Sequence, residues 1–169
     1  MKMFPVKYYE IELLNDCSKA LSELEKNTMI TDSLSSEWTK KAFIGQVNEN
    51  GFKIISSEPG RGAFCVLKGK LESKKGLIEI TINKAFRIML SIIFLFPIIG
   101  FIISFFIKET EVSISLIIPT LMSIVVFRFV LTEIAFRIIA QKGLKKLTEI
   151  IGITKLEISE VETTQAYKN

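Results

Sequence analysis

The stretch that decides the predicted architecture runs from Ile88 to Ile107 and reads IMLSIIFLFPIIGFIISFFI. It contains no charged residue, and its only hydroxyl side chains are Ser91 and Ser104. A helix of this length, at 1.5 Å per residue, extends about 30 Å, which is the thickness of the hydrocarbon core of a bilayer. The run therefore predicts a first transmembrane helix over 88–107.

A second apolar run follows from Val112 to Leu131. Arg128 lies close to its end, where a long basic side chain can extend its charge to the lipid phosphates at little cost. Only Lys108–Glu111 separates the two runs, so the two helices are predicted to form an antiparallel hairpin over 88–131.

The charges that flank the hairpin predict its orientation. Basic residues lie on both outer sides, whereas the connecting loop has one Lys against two Glu. The outer basic residues are Lys84, Arg87, Arg128, Arg137, Lys142, Lys145 and Lys146. By the positive-inside rule both termini are expected to be cytoplasmic, and the localisation to be an integral membrane protein of a bacterial inner membrane. The N-terminus lacks the apolar segment of a secretory signal peptide, so the first span would act as the insertion signal.

Residues 1–87 are predicted to form a cytoplasmic α+β part. Phe4–Leu14 is expected to be an edge strand, and Asn15 or Asp16 to cap a helix that ends near Thr28. Four strands and an Asn-Gly hairpin turn are then predicted to form an antiparallel meander. The strands are Ala42–Glu49, Phe52–Ser57, Ala63–Glu72 and Leu77–Asn83.

Beyond the second run, helical periodicity continues over Thr132–Ile151, with apolar residues on one face and lysines on the other. Residues 132–161 are therefore predicted to pack on the meander as an amphipathic helix followed by a strand at Ile153–Val161. Residues 162–169 are predicted to be a disordered tail. The fold class expected from these elements is an α+β membrane protein: a meander, a transmembrane helical hairpin and an amphipathic helix.

Several short elements occur in an order that resembles a known group of proteins. They are Phe43-x-Gly45, Phe52-x-Ile54, Arg61-x-x-Phe64, Gly69-Lys70 and Ile78-x-Ile80-x-Ile82. The order is similar to that of small bacterial membrane proteins of unknown function in which a β-meander precedes a two-helix membrane hairpin, the YcxB-like group among them. The resemblance covers roughly residues 40–150 and implies a barrel of the pleckstrin-homology type. It implies no catalytic residue.

Composition excludes several kinds of chemistry. The chain has no histidine, which removes Ser-His-Asp and Cys-His catalysis and histidine-ligated metal or haem. Cys17 and Cys65 are not part of a C-x-x-C motif, and two free thiols are favoured over a redox pair. The predicted protein is therefore not an enzyme and has no catalytic residue, cofactor or metal. Its lysines are scattered among acidic residues, and no nucleic-acid partner is expected.

Candidate binding residues lie in two places. The loop Glu58-Pro59-Gly60-Arg61-Gly62 is read as a turn, with a phosphate or headgroup contact at Arg61 as the alternative. Arg128, Arg137, Lys142, Lys145 and Lys146 are candidate contacts for anionic lipid, with a purely topological role as the alternative.

Two shorter spacings predict local contacts. Glu133 and Arg137 are spaced for an ion pair within one helix. Gly100 and Ser104 are spaced for a close helix–helix contact, either within the hairpin or between two copies.

The function predicted from these features is a membrane-anchored, non-enzymatic binding or scaffold module at the cytoplasmic membrane face. The alternative is an oligomerising pore, channel or toxin-like effector. The expected partners are the lipid bilayer, anionic lipid, a protein of unknown identity and a second copy of the chain.

Overall fold

The computed structural model of the chain describes residues 4–35, 38–58, 62–107 and 114–158. The chain divides into two compact units. The first, here called the sheet unit, comprises residues up to Asn83 and those from Ile139 onwards. The second, here called the helical unit, comprises Lys84–Ile138.

The sheet unit is built on a seven-stranded mixed sheet in the order β2-β3-β4-β5-β6-β1-β7. The parallel pair is β2 with β3, and every other neighbouring pair is antiparallel. The strands are β1 (Val6–Leu13), β2 (Thr28–Ile30), β3 (Phe43–Asn48), β4 (Gly51–Ser56), β5 (Cys65–Glu72), β6 (Lys75–Ile82) and β7 (Ile153–Ile158). Helix α1 (Cys17–Lys26) lies between β1 and β2, and a 3-10 turn (Gly62–Phe64) precedes β5.

One face of the sheet forms the main core because apolar residues alternate along its strands. Ile78, Ile80 and Ile82 of β6 are almost fully buried, as the alternation predicts. Ile54 and Leu67 lie in the same row as Ile80 across β4 and β5, and they are equally buried. The continuous row of β-branched and Leu side chains gives this face the close packing of a protein interior.

Helix α4 comprises Thr132–Ile151, and its residues from Ile139 onwards belong to the sheet unit. Within the sheet unit its apolar stripe is buried at Ala140, Leu144, Leu147 and Ile151. Gly143 allows the close approach, since a Cβ atom there would lie 3.3 Å from Cδ1 of Leu67. The predicted amphipathic helix over Thr132–Ile151 is present, and β7 follows it.

The sheet differs from the predicted four-stranded meander. The four predicted strands are present as β3 to β6, and the Asn50-Gly51 hairpin is formed. However, β1 is not an edge strand, because it lies between β6 and β7. The helix α1 ends at Lys26, and Thr28–Ile30 forms the short strand β2, which was not predicted. The antiparallel meander is thus four strands of a larger mixed sheet.

The helical unit contains α2 (Lys84–Ile107), α3 (Ile114–Val125), a π-helical segment (Val126–Leu131) and the first part of α4. The first predicted span lies within α2. The second is divided, because the α-helix of α3 ends after 12 residues and the π-helical segment takes over at Val126. An α-helix of that length extends only about 18 Å.

Within the part of the chain that the structure describes, no helix is both long enough and apolar enough to cross a bilayer. This finding overturns the predicted transmembrane hairpin over 88–107 and 112–131. The membrane-protein fold class and the integral-membrane localisation are wrong for the same reason. In the second run, a 12-residue α-helix followed by a π-helical segment replaces the single continuous helix that the prediction assumed. The predicted tail at 162–169 and the loop at Lys108–Glu111 lie outside the described residues.

Candidate functional site

The described residues hold no cluster of side chains typical of a metal centre. Among them, no group of three or more Cys, Asp or Glu side chains is placed to hold a metal ion. Cys65 is buried in β5, and this burial raises the pKa of its thiol to about 12. The Sγ of Cys17 lies 3.7 Å from the carbonyl oxygen of Leu71, and burial raises its pKa as well. Neither thiol has the lowered pKa of a nucleophilic cysteine.

The most unusual feature of the helical unit is the apolar surface that α2 exposes. Among the described side chains of this helix, ten large apolar ones are more than a third exposed, including Phe96 at 75 %. They are Ile88, Met89, Ile92, Ile93, Leu95, Phe96, Ile98, Ile99, Ile102 and Ile103. At about 100° per residue these positions cover well over half of the circumference of the helix. The exposed surface is therefore broader than the single stripe of an ordinary amphipathic helix.

The surface continues onto the next elements of the same unit. Helices α2 and α3 contact each other, and α3 exposes Ile118 and Met122 at 58 % and 59 %. In the π-helical segment Phe129 is 54 % exposed. We refer to these exposed side chains of α2, α3 and the π-helical segment as the apolar surface. Contiguous exposed apolar surface on this scale marks an interaction site, because its contact with water is unfavourable.

Basic residues stand where the apolar surface begins. Lys84 and Arg87 occupy the first turn of α2, and both are exposed. The backbone carbonyl of Arg87 accepts a hydrogen bond of 2.9 Å from the Ser91 hydroxyl. The side chain of Arg87 is exposed. This turn of α2 therefore combines positive charge with the adjoining apolar residue Ile88.

The predicted lipid-contact residues do not form one cluster. Arg137 Nε donates a hydrogen bond of 3.0 Å to Glu133 Oε1, so the predicted ion pair in α4 is present. The Nζ of Lys146 lies 5.9 Å from the centroid of the buried Phe43 ring, within the sheet unit. Lys142 and Lys145 are exposed. The side chain of Arg128 lies outside the described residues.

The predicted Arg61 loop and the Gly100/Ser104 spacing are described only in part by the structure. Arg61 lies outside the described residues, so the reading of its loop as a turn or as a headgroup site stays a prediction. A Cβ atom at Gly100 would meet no atom of the described residues within 4 Å, so Gly100 makes no close helix–helix contact with that part of the chain. The Ser104 side chain is outside the described residues.

A groove of about 570 Å³ on the sheet unit was not predicted from the sequence. Acidic and basic side chains from β1, β5, β6 and β7 line it, among them Glu12, Lys75, Lys155 and Glu157. Lys155 Nζ lies 2.9 Å from Glu157 Oε1, and Lys75 Nζ lies 3.9 Å from Glu12 Oε1. The hydrogen bond to Glu157 raises the pKa of Lys155. Paired charges of both signs give the groove no preference for an anionic or a cationic ligand.

Comparisons with protein-family models, with curated proteins and with solved structures found no match to this chain. The similarity to YcxB-like proteins and to pleckstrin-homology barrels therefore stays a prediction.

Proposed function

We propose that this chain is a non-enzymatic binding module whose helical unit associates with lipid. The observation that carries the proposal is the apolar surface of α2 and α3, in which residues as large as Phe96 and Met122 are more than half exposed. Burying one such side chain is worth about 1.5–3 kcal/mol, so even partial coverage of the set provides a strong driving force. The proposal concerns contact with lipid and not a helix that crosses a bilayer.

Lipid suits the breadth of this surface better than a protein groove does. A groove that binds a helix covers one stripe, with anchors at positions i, i+3, i+4 and i+7. The exposed residues of α2 include neighbours such as Ile92 and Ile93, or Leu95 and Phe96, which point in directions about 100° apart. Fluid acyl chains conform to an apolar surface of any shape, and they cover several directions at once.

The charges at the start of α2 favour anionic headgroups. Lys84 and Arg87 precede the first exposed apolar residues directly, and both are exposed. A basic side chain near an anionic lipid surface contributes about 1 kcal/mol, and salt screens this contribution. Apolar contacts then supply the affinity, and the two cations supply a preference for negatively charged lipid.

Vesicle flotation of the full chain tests the proposal. Protein diluted from mild detergent into phosphatidylcholine vesicles is expected to float with them, and more completely when a fraction of the lipid is phosphatidylglycerol. The variant Ile92→Glu/Phe96→Glu/Ile99→Glu is expected to lose flotation, since three charges enter the apolar surface. The matched control is Leu14→Glu/Trp38→Glu, which changes exposed apolar residues of the sheet unit (66 % and 92 % exposed) and is expected to float normally.

A different result would point to a different partner. If the chain fails to float, and is a defined oligomer without detergent, a second copy covers the apolar surface and the lipid proposal is wrong. Equal flotation of the control and the triple variant would also contradict it. Leakage of a dye from the same vesicles would instead favour the pore-forming alternative.

A further inference from the structure

In the part of the chain that the structure describes, the outer edge of β7 is unpaired. In the sheet order β7 follows β1 and ends the sequence of strands, and among residues 4–35, 38–58, 62–107 and 114–158 no strand pairs with its other side. An edge strand presents backbone N–H and C=O groups that can pair with an additional strand. Strand addition at such an edge is a common mode of recognition.

The face of β7 that continues the core is incompletely covered. Its residues Leu156 and Ile158 pair with Ile11 and Tyr9 of β1, and both of these β1 residues are buried. Leu156 and Ile158, in contrast, are 38 % and 71 % exposed. A further strand beside β7 would extend the core face and would cover these two apolar side chains.

The opposite face of β7 carries a self-complementary pair of charges. Lys155 and Glu157 pair with Glu12 and Glu10 of β1, and they form an ion pair with each other along the strand. Suppose that β7 pairs antiparallel with β7 of a second copy, about a twofold axis that passes through Leu156. Lys155 of each copy then stands opposite Glu157 of the other, and Leu156 stands opposite Leu156.

Other registers are less favourable. An axis through Lys155 would place two lysines opposite each other, and an axis through Glu157 would do the same with two glutamates. Like charges directly opposite on neighbouring strands are destabilising. An axis between two residues would place Leu156 opposite a charged residue, because adjacent residues of a strand point to opposite faces. Among the axes through residues 155 to 157, the residue pattern therefore favours the one centred on Leu156.

We propose that β7 is a self-association edge at which two copies of this chain pair antiparallel about Leu156. The interface is isologous, as expected for a twofold dimer, because the same strand contributes both sides. It joins two sheets into one and covers Leu156 and Ile158 of each copy. This inference concerns the sheet unit and does not depend on the proposed lipid association of the helical unit.

Charge reversal tests the proposal on the full chain in mild detergent, which covers the apolar surface. The wild-type chain is expected to be a dimer by sedimentation. Lys155→Glu and Glu157→Lys each convert two attractive cross-strand pairs into repulsive ones. Each variant alone is expected to dimerise about tenfold more weakly, because like charges directly opposite on neighbouring strands are destabilising.

Mixing the two variants gives the decisive measurement. A chain with Glu at both positions and a chain with Lys at both positions are complementary across the axis, so the mixture is expected to recover dimers at the wild-type level. The ion pair along the strand is absent from both variants. Recovery on mixing can therefore come only from contacts between chains, and not from restored stability of β7.

Disulfide formation tests the register. Leu156→Cys in a Cys17→Ser background is expected to form an oxidised dimer rapidly, while Cys65 stays unreactive because it is buried. The control Lys53→Cys, an exposed position on the interior strand β4, is expected to form none. Lys155→Cys is expected to cross-link more slowly than Leu156→Cys, because the two copies of residue 155 lie on opposite sides of the axis.

Four outcomes would overturn the proposal. The first is a monomeric wild-type chain, and the second is an association that neither charge reversal weakens. The third is a mixture that fails to recover dimers. The fourth is a dimer that appears only after the residues beyond Ile158 are removed, because that result would mean that the chain itself occupies the edge.

Discussion

The ring of Phe52 on β4 occupies the space that a side chain would need at its cross-strand neighbour Gly69 on β5. The two residues pair directly in the sheet, and a Cβ atom at position 69 would lie 2.3 Å from Cε1 and Cζ of the ring. An aromatic ring that covers a glycine on the neighbouring strand protects the exposed backbone and helps to set the register. Phe52 is only 5 % exposed, so the ring has little room to move aside.

We therefore expect Gly69→Ala to destabilise the sheet unit by about 1–3 kcal/mol, the usual cost of adding volume to a packed core. Chemical denaturation followed by circular dichroism measures this change. The matched control is Gly100→Ala, where the added Cβ meets no described atom within 4 Å. In a helix that substitution is expected to be neutral or to stabilise by up to about 1 kcal/mol. Equal effects of the two substitutions would contradict the packing described for Phe52.

Leu147 tests whether α4 is part of the core of the sheet unit. Its side chain is fully buried, and truncation to Ala is expected to cost about 2–5 kcal/mol, as for other buried leucines. Lys145→Ala in the same helix is the control, since Lys145 is exposed and its loss leaves no cavity. A cost below 1 kcal/mol for Leu147→Ala, in the same denaturation experiment, would mean that the helix contributes little to the core.

The raised pKa of the buried Cys65 thiol predicts that the folded chain loses stability at high pH. Burial raises the pKa of its thiol from 9.0 to about 12, so between these values the folded chain retains a proton that the unfolded chain loses. The contribution of this group is fully present below pH 9 and declines as the pH rises towards 12, by at most about 1.4 kcal/mol per pH unit. Denaturation midpoints between pH 8 and 11 measure the slope.

Two variants separate this effect from that of a buried phenol. Burial also raises the pKa of Tyr9, which predicts a decline of the same sign above pH 10. Cys65→Ala should flatten the part of the profile just above pH 9, whereas Tyr9→Phe should leave that part unchanged. An unaltered profile for Cys65→Ala would show that the thiol is not protected in the folded chain.

Lys146 is expected to stabilise the folded sheet unit and not to contact lipid specifically. Its ammonium group lies over the Phe43 ring, an arrangement worth about 0.5–1 kcal/mol near a surface. Lys146→Met should lower the free energy of unfolding by that amount, while the exposed neighbour Lys145→Met should not. Flotation with anionic vesicles should be weakened equally, and only slightly, by the loss of either charge. A selective loss of flotation in Lys146→Met would instead assign this lysine to lipid contact.

The sequence predicts the central strands because alternation and turn residues within each short segment are enough to identify them. Ile78, Ile80 and Ile82 alternate with polar residues, and Asn50-Gly51 is a strong turn signal between two apolar runs. Strand β1 shows a similar alternation, with Tyr9, Ile11 and Leu13 buried, yet nothing local indicates which strands lie on its two sides. Its neighbours begin at Lys75 and Ile153, far along the chain. A short window of sequence does not indicate which strands pair over such sequence separations.

The sequence predicts that the residues of the apolar surface are apolar, but it does not predict the helices that they form. The apolar run from Ile88 is evident in the sequence, and its side chains are exposed in the helical unit. The change to a π-helix at Val126 is not evident, because apolar residues continue without interruption through that position. Likewise, the ring that Lys146 covers belongs to β3, about a hundred residues earlier in the chain, and only the folded sheet brings the two together.

The position of β1 between β6 and β7 also governs when the chain can fold during synthesis. Strand β1 acquires one neighbour only after Ile82 has emerged from the ribosome and the other only after Ile158. The pairing of β1 with β7 can form only after the whole helical unit has been translated, and distant pairings of this kind are slow to form. A nascent chain stalled before β7 is thus expected to hold β1 paired on the β6 side alone.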